Sequence, residues 1–395
     1  MHIVDVAEFY APQGGGVKTY IDAKLDHAAR HGDRVTVIAP GPDNREEERP
    51  GGRILFVRSP AIPVDRRYHV FYRGAPVHAL LDRLAPDVVE ASSPFRAAGI
   101  VADWAGPGAA RAVKSLVLHA DPVAAHPQQW LRRIAPARVD RAFGWYWRYL
   151  ARVAARHDCA IAGSRWFARR VATHTGIVPE VIPLGVDCEL FHPGRRDPTL
   201  RAALLRWLGL GPEARLLVGV GRHHHEKQWP MLFQAVGALG PATVGMVQIG
   251  DGFAGPTVAR AAEAAGNVRL LGRVDDRQLL ASILASADAM VHGSSAETFG
   301  LVVSEGLAAG LPLVLPDAGG CTDAADPAFA ELYAAGDAAA ATAAIRRLLL
   351  RDRDTLRSAA IAARTTHVST PAEHFERLFA LYREARNPAL SSAAA

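Results

Sequence analysis

Short apolar runs alternate with longer amphipathic stretches along almost the whole chain, and this alternation restricts the fold more than any single motif does. It is the pattern of parallel βα units, in which each buried strand is followed by a helix that returns the chain. In the first half it predicts strands at His2–Ala7, Arg34–Ala39, Ile54–Arg58, Asp87–Ala91, Ser115–His119 and Cys159–Ala162, with helices at Val17–Arg30, Pro76–Leu84 and Val139–Arg156. A second series predicts strands at Leu216–Gly221, Gly245–Ile249, Val268–Leu271, Ala289–His292 and Leu313–Leu315. Its helices fall at Pro230–Leu239, Thr257–Ala265, Asp276–Ser286 and Leu301–Ala309. The expected class is α/β with two doubly wound Rossmann-like domains, whose ligands bind outside the carboxyl ends of the strands.

A length of 395 residues suits two such domains. The turn-rich stretch Pro183–Gly211 separates the two series, which sets the domains at 1–185 and 186–370. Residues 371–386 read as a last helix and 387–395 as a disordered tail. With 49% hydrophobic and 22% charged residues, a disordered chain is excluded. Cys159, Cys188 and Cys321 form no Cys-x-x-Cys pair, so neither a disulfide framework nor a zinc site is indicated, and a reducing cytosol fits. Met1 leads directly into a predicted strand, so no signal peptide is expected, and no apolar stretch approaches the ~20 residues of a membrane span.

Basic charge is unevenly placed. Residues 126–175 carry ten arginines against Asp140 and Asp158 alone, interleaved with aromatics as in Trp130, Arg132, Arg133, Trp145 and Arg148. Tryptophan favours the bilayer interface and arginine favours anionic headgroups, so this stretch fits an anionic membrane surface or a lipid acceptor. The alternative is that Tyr146, Trp147 and Leu150 simply form the core face of one helix. Nucleic acid would use similar residues, but no nucleic-acid-binding fold is legible.

The chemistry concentrates in Ser294–Pro312, which places Glu297 in a loop, Gly300 at a helix start and Glu305 one to two turns later. A helix start presents free N–H groups and partial positive charge, which suits a phosphate. Carboxylates on either side can each accept hydrogen bonds from paired hydroxyls of a hexose or a ribose. Together these are the parts of a nucleotide sugar. Upstream, Gly221 and its neighbours let backbone approach a diphosphate, while Arg222 and Lys227 bring positive charge that would stabilise a departing diphosphate. Gly14-Gly15-Gly16 is neither a dinucleotide fingerprint nor a P-loop; it is a tight βα turn that can still offer N–H groups to a phosphate. His119 and Asp121 follow a strand, and Asp121 is placed to orient an acceptor or take its proton. Three consecutive histidines, His223, His224 and His225, cannot all face one ion, so no metal site is expected there.

The Ser294–Pro312 segment resembles the Glu-x7-Glu signature of retaining GT-B glycosyltransferases, in particular family 4. The resemblance extends to Gly-Arg-x-x-x-Glu-Lys at Gly221–Lys227, although the family's usual following glycine is Gln228 here. It also takes in Gly250-Asp251-Gly252, the Pro-x-Gly-Val-Asp and Phe-x-Pro connection between the domains, and the position of His119. The resemblance implies a GT-B fold with the two domains facing a cleft and the last helix crossing back to the first. It implies that Glu297 contacts the donor sugar, Glu305 the ribose, and the backbone of Phe299, Gly300 and Leu301 the sugar and diphosphate. Gly15 and Gly16 would reach the diphosphate or the acceptor, His119 the donor sugar, and backbone near Arg273 and Val274 the nucleobase. The implied activity is that of a metal-independent hexosyltransferase with no cofactor, retaining at carbon 1, using a UDP-sugar or GDP-mannose with the former favoured. Its acceptor would be a membrane lipid or a soluble sugar, and its place the cytosolic face of the inner membrane. A nucleotide-sugar epimerase and a non-catalytic nucleotide-sugar binder are the competing readings.

Overall fold

The structure, a computed structural model, describes residues 1–12, 16–62, 65–131, 134–240 and 242–387, with the backbone alone at residues 65 and 67. The expected tail therefore lies almost wholly outside the described residues. The chain forms two compact units. Unit 1 gathers Met1–Ala120, Asp140–Ile182 and the C-terminal segment from Pro371; unit 2 gathers Asp121–Val139 and Pro183–Thr370.

Unit 1 is built on β1 (His2–Val6), whose residues are all buried because both its neighbours are parallel strands and helices pack on its faces. On one side stand β2 (Arg34–Gly41), then β4 (Gly52–Arg58), then β3 (Arg45–Arg49) at the edge. A two-stranded ribbon, β5 (Ala61–Ile62) with β6 (Asp65–His69), follows outside this sheet. On the other side stand β7 (Val88–Ala91), β8 (Val113–Leu118), β9 (Cys159–Ala162) and β10 (Glu180–Val181). β3 pairs antiparallel to β4 and reads Arg-Glu-Glu-Glu-Arg. Its charges suit an exposed edge that must not recruit another strand, and they hide it from any reading based on apolar runs.

The helix expected over Val139–Arg156 is two helices, Pro136–Ala142 and Gly144–Ala154, parted at Phe143. Helices at Arg96–Asp103, Arg165–Thr175 and Pro198–Trp207 complete elements that the apolar alternation left unassigned. The C-terminal helix Pro371–Arg386 buries Phe375, Leu378, Phe379 and Tyr382 in the unit 1 core, beside Ile21 and Leu25 of the helix Gly16–His31. Tyr382 Oη donates to Glu90 at 2.6 Å, and Lys24 Nζ lies 2.7 Å from Asp5 and 2.5 Å from Glu90, all fully buried. A buried lysine between two carboxylates is tolerable only as a closed, bonded set. Burial holds Asp5 at about 6, although Lys24 pulls it back.

Unit 2 holds a wholly parallel sheet of β11 (Arg215–Val220), β12 (Val244–Ile249), β13 (Val268–Gly272), β14 (Ala289–Val291), β15 (Leu313–Pro316) and β16 (Ala330–Tyr333). The order across it is β13-β12-β11-β14-β15-β16, so succession reverses direction between β11 and β14. At such a switch point the loops leaving two adjacent strands diverge to opposite faces and open a crevice. Apolar side chains cover both faces of the sheet. Among the described residues no helix is long and apolar enough to cross a membrane.

Candidate active site

The loops that leave β11 and β14 carry the residues singled out by motif. After β11 the chain turns through Gly221 and Arg222 into a short helical turn, His225–Lys227. After β14 it runs through His292 and Glu297 to the helix Leu301–Ala308. Lys227 Nζ is bonded to Glu297 Oε1, and Glu226 Oε1 stands 3.9 Å from the same ammonium. His292 Nε2 lies 3.4 Å from Glu297 Oε1, which places the carboxylate between a cation and an imidazole. Burial alone would raise the Glu297 pKa, but Lys227 and His292 outweigh it and hold the carboxyl well below the usual range. Lys227 is pushed up in turn: burial opposes its charge, and Glu297 and Glu226 overcome that. Both groups are therefore ionised at neutral pH.

Arg222 is mostly exposed; its backbone carbonyl is fixed by Trp229 Nε1 at 3.0 Å, while Nη2 reaches Glu226 only at 3.9 Å. Its guanidinium is thus available to a ligand. Gln228, standing where the family has glycine, takes the left-handed backbone (φ 52°) that glycine would take without strain. The helix Leu301–Ala308 begins at Gly300 (φ 91°), which offers no capping side chain. Val303 N–H bonds the Gly300 carbonyl at 2.8 Å, while the N–H groups of Leu301 and Val302 meet no capping side chain and suit an anion. Phe299 is half-buried beside them.

Glu305, on the inner turn of this helix, accepts from Arg277 Nη2 at 3.2 Å. Burial raises its pKa, and Arg277 offsets part of that rise. Gly250 and Asp251 follow β12: Gly250 N–H donates to Gly272 at 2.8 Å, and Asp251 accepts at its carbonyl from His223 N–H at 2.6 Å. Arg273 and Val274 follow β13; Arg273 is exposed and bonded to Asp275 at 2.6 Å, and Val274 packs against the core. The three histidines separate. His223 is buried with Nε2 donating to Gln248 at 2.8 Å, while His224 and His225 meet the exposed ring of Phe253. Among the described residues no group of three His, Cys, Asp or Glu is arranged to hold a metal.

Asp121 caps the helix Pro122–Ala125, its Oδ1 accepting from Val123 and Ala124 N–H at 3.0 and 2.9 Å. Asp-Pro at the cap and first helical position is a helix-start signal, and it gives Asp121 a structural occupation that competes with proton transfer. Unit 1 holds Gly16, at the exposed start of its helix, and His119, edge-on to the Tyr20 ring at 5.0 Å. Desolvation lowers the His119 pKa to about 4, so the ring is neutral at pH 7. Trp145 and Arg148 are exposed in unit 1, with Tyr146, Trp147 and Leu150 buried on the same helix, and Trp130 is exposed in unit 2. Gly15, Arg132 and Arg133 lie outside the described residues. Two neighbours of the signature glutamates escaped the sequence reading: His292 looks like any strand-end histidine, and Arg277 like a solvated residue at a helix start.

Comparison with known proteins identifies the family and the fold. The family described as Glycosyltransferase Family 4 matches residues 14–190, and that described as Glycosyl transferases group 1 matches residues 214–351. A GDP-mannose-dependent alpha-(1-6)-phosphatidylinositol dimannoside mannosyltransferase of Mycobacterium tuberculosis is 30% identical over 340 residues, 82% of this chain and 84% of the relative. A GDP-mannose-dependent alpha-mannosyltransferase of the same species is 31% identical over 343 residues, 83% and 82% of the two chains. Among solved structures, sucrose-phosphate synthase of Thermosynechococcus elongatus superposes with a TM-score of 0.77 at 18% identity, over 97% of this chain and 99% of that one. Anabaena HepE, in complex with UDP and glucose, gives 0.70 at 19%, over 96% and 99%. The chain belongs to the group 1 glycosyltransferases. It is an enzyme of the GT-B fold.

Proposed function

We propose that this glycosyltransferase is a retaining α-mannosyltransferase that takes mannose from GDP-mannose and adds it to a glycolipid of the phosphatidylinositol mannoside class. The observation that carries the reading is the Glu297 carboxylate, held ionised between Lys227 and His292 at the switch point of a parallel sheet, beside an uncapped helix start. The sequence left UDP-sugars and GDP-mannose both open and favoured the former. The relatives move the proposal to GDP-mannose, since their names specify that donor over more than four-fifths of this chain.

In this reading Glu297 accepts from donor sugar hydroxyls, Glu305 from the ribose, and the N–H groups at Gly300 and Leu301 face the diphosphate. Arg222 and Lys227 neutralise the charge that builds on the diphosphate as the bond to carbon 1 breaks. The acceptor oxygen bonds to carbon 1 on the face the phosphate leaves, and its proton passes to a phosphate oxygen, so configuration is kept. No protein base is required, which agrees with Asp121 being engaged as a cap and with burial making His119 a weak base. This reading puts the acceptor on unit 1. Two adjoining cavities there, 410 and 710 Å³, share Pro42 and His69 and are lined by Arg45, Arg58, Arg66 and Arg73, which suits the phosphodiester of a phosphoinositide.

The test is transfer of labelled sugar from GDP-mannose, UDP-glucose and UDP-galactose to phosphatidylinositol mannosides and to free mannose. Glycolipid product from GDP-mannose alone supports the reading. Product from a UDP-sugar alone overturns the donor, product on free mannose alone overturns the acceptor, and donor loss without product favours hydrolysis or epimerisation.

A further inference from the structure

Each of the two signature glutamates has a cation of its own. Lys227 serves Glu297 and belongs to the motif that marks the family. Arg277 serves Glu305 and belongs to none of the sequence motifs. It is the first residue of the helix Arg277–Ser286, whose cap is Asp276. A positive charge in the first turn opposes the partial positive charge of the helix start, so local preference speaks against an arginine there. Its guanidinium lies over the buried Phe191 ring, 5.1 Å from the centroid, and donates through Nη2 to Glu305 Oε1 at 3.2 Å. The arginine is thus held by a ring and a carboxylate, although half of its side chain stays exposed. Among the described residues nothing donates to Glu305 Oε2, and the carboxylate is otherwise enclosed.

From this geometry we infer that Arg277 is the positioning residue of the ribose subsite: it fixes one oxygen of Glu305 and leaves the other aimed at the ribose hydroxyls of the donor. The inference rests on the donor-site reading given above, in which Glu305 faces ribose. Arg277 touches no part of the donor itself. Its effect passes through Glu305, so it must vanish when Glu305 is made neutral or when the ribose has no hydroxyls.

The experiment measures binding of GDP and of 2′,3′-dideoxy-GDP by calorimetry to the full chain and to Arg277→Leu, Arg277→Lys, Glu305→Gln and the Arg277→Leu/Glu305→Gln double variant. Hydroxyl bonds to a charged acceptor make the wild type prefer GDP by about ten-fold or more. Arg277→Leu is expected to reduce that preference to within about two-fold, mostly by weakening GDP. Arg277→Lys keeps most of it, and the double variant binds GDP no more weakly than Glu305→Gln alone. Full preference retained in Arg277→Leu, or equal weakening of both nucleotides, overturns the assignment. A wild type that prefers neither nucleotide removes Glu305 from the ribose and the proposal with it. If UDP binds and GDP does not, the same ratio taken with 2′,3′-dideoxy-UDP tests Arg277 while the nucleobase alone is corrected.

Discussion

The pair Glu297 and Lys227 is central to the proposed site, each enclosed and each the nearest opposite charge of the other. A carboxylate and an ammonium so enclosed must pair or lose their charge, and a donor that enters must exchange that pair for its own hydroxyls and phosphates. Glu297→Gln keeps the shape and removes the charge. We expect turnover to fall by about two to three orders of magnitude, the range for losing one electrostatic contact of the transition state, with nucleotide affinity by calorimetry changed less than about three-fold. Turnover within three-fold of wild type would remove Glu297 from the sugar. A second residue, in unit 1, gives a pH signature of its own. Desolvation holds His157 at about 4, only partly offset by the Val153 carbonyl at 2.9 Å. Because the folded pKa lies below the unfolded one, its stabilisation is complete above about 6.5 and is lost as pH falls towards 4, at up to about 1.4 kcal/mol per unit. His157→Gln should therefore lose less stability than wild type between pH 7 and pH 5 in urea denaturation; equal losses would contradict the assignment. Spacing and residue type singled out both signature glutamates and Lys227, and the structure brings Lys227 and Glu297 together. His292 and Arg277 were not singled out, because what distinguishes them is a distance: 3.4 Å from His292 to Glu297 within one loop, and 3.2 Å from Arg277 to Glu305 on another helix.

At the scale of elements, the strand ends of unit 2 depend on backbones that meet closely. Gly221 N–H donates to Ile249 at 2.9 Å, and Gln248 Nε2 donates to the Gly221 carbonyl at 3.0 Å. Gly250 (φ 136°) lies so near that a Cβ would stand 2.1 Å from that carbonyl oxygen. Gly250→Ala must displace the Gly221 turn, and we expect a cost of at least about 2 kcal/mol in denaturation together with reduced donor binding. A variant as stable as wild type would show that the two turns do not need this approach. Most buried parallel strands were legible, since continuous apolar runs admit little else. β3 was not, because an edge strand protected by charge has no apolar signal, and the break at Phe143 was not, because aromatic and apolar residues continue across it. Asp121 was legible in part: its position after β8 was right, while Asp-Pro as a cap and first-turn pair was the stronger signal.

At the scale of the molecule, unit 1 is closed by the helix Pro371–Arg386, so its core is complete only once synthesis has passed residue 382. Tyr382→Phe leaves Glu90 with Lys24 and Ser92 but without the hydroxyl, which Ser115 also uses as acceptor, and we expect a loss of about 1–3 kcal/mol in equilibrium denaturation, the range for a buried bond to a charged acceptor. No loss would mean that Lys24 and Ser92 satisfy Glu90 without the hydroxyl. The proposed lipid acceptor requires a membrane, and the exposed Trp145 and Arg148 are candidates to meet it. Replacing Trp145 by Ala and Arg148 by Glu should weaken sedimentation with phosphatidylinositol-containing vesicles by several-fold, given ~1 kcal/mol per arginine near an anionic surface; unchanged sedimentation would assign these residues to the protein surface alone. The most direct test of the proposed function is the anomeric configuration of the product formed from GDP-mannose and a phosphatidylinositol mannoside, read by the one-bond carbon–proton coupling at the new anomeric carbon. Retention at carbon 1 predicts an α-mannoside. A β-mannoside, or no transfer of mannose at all, would contradict it.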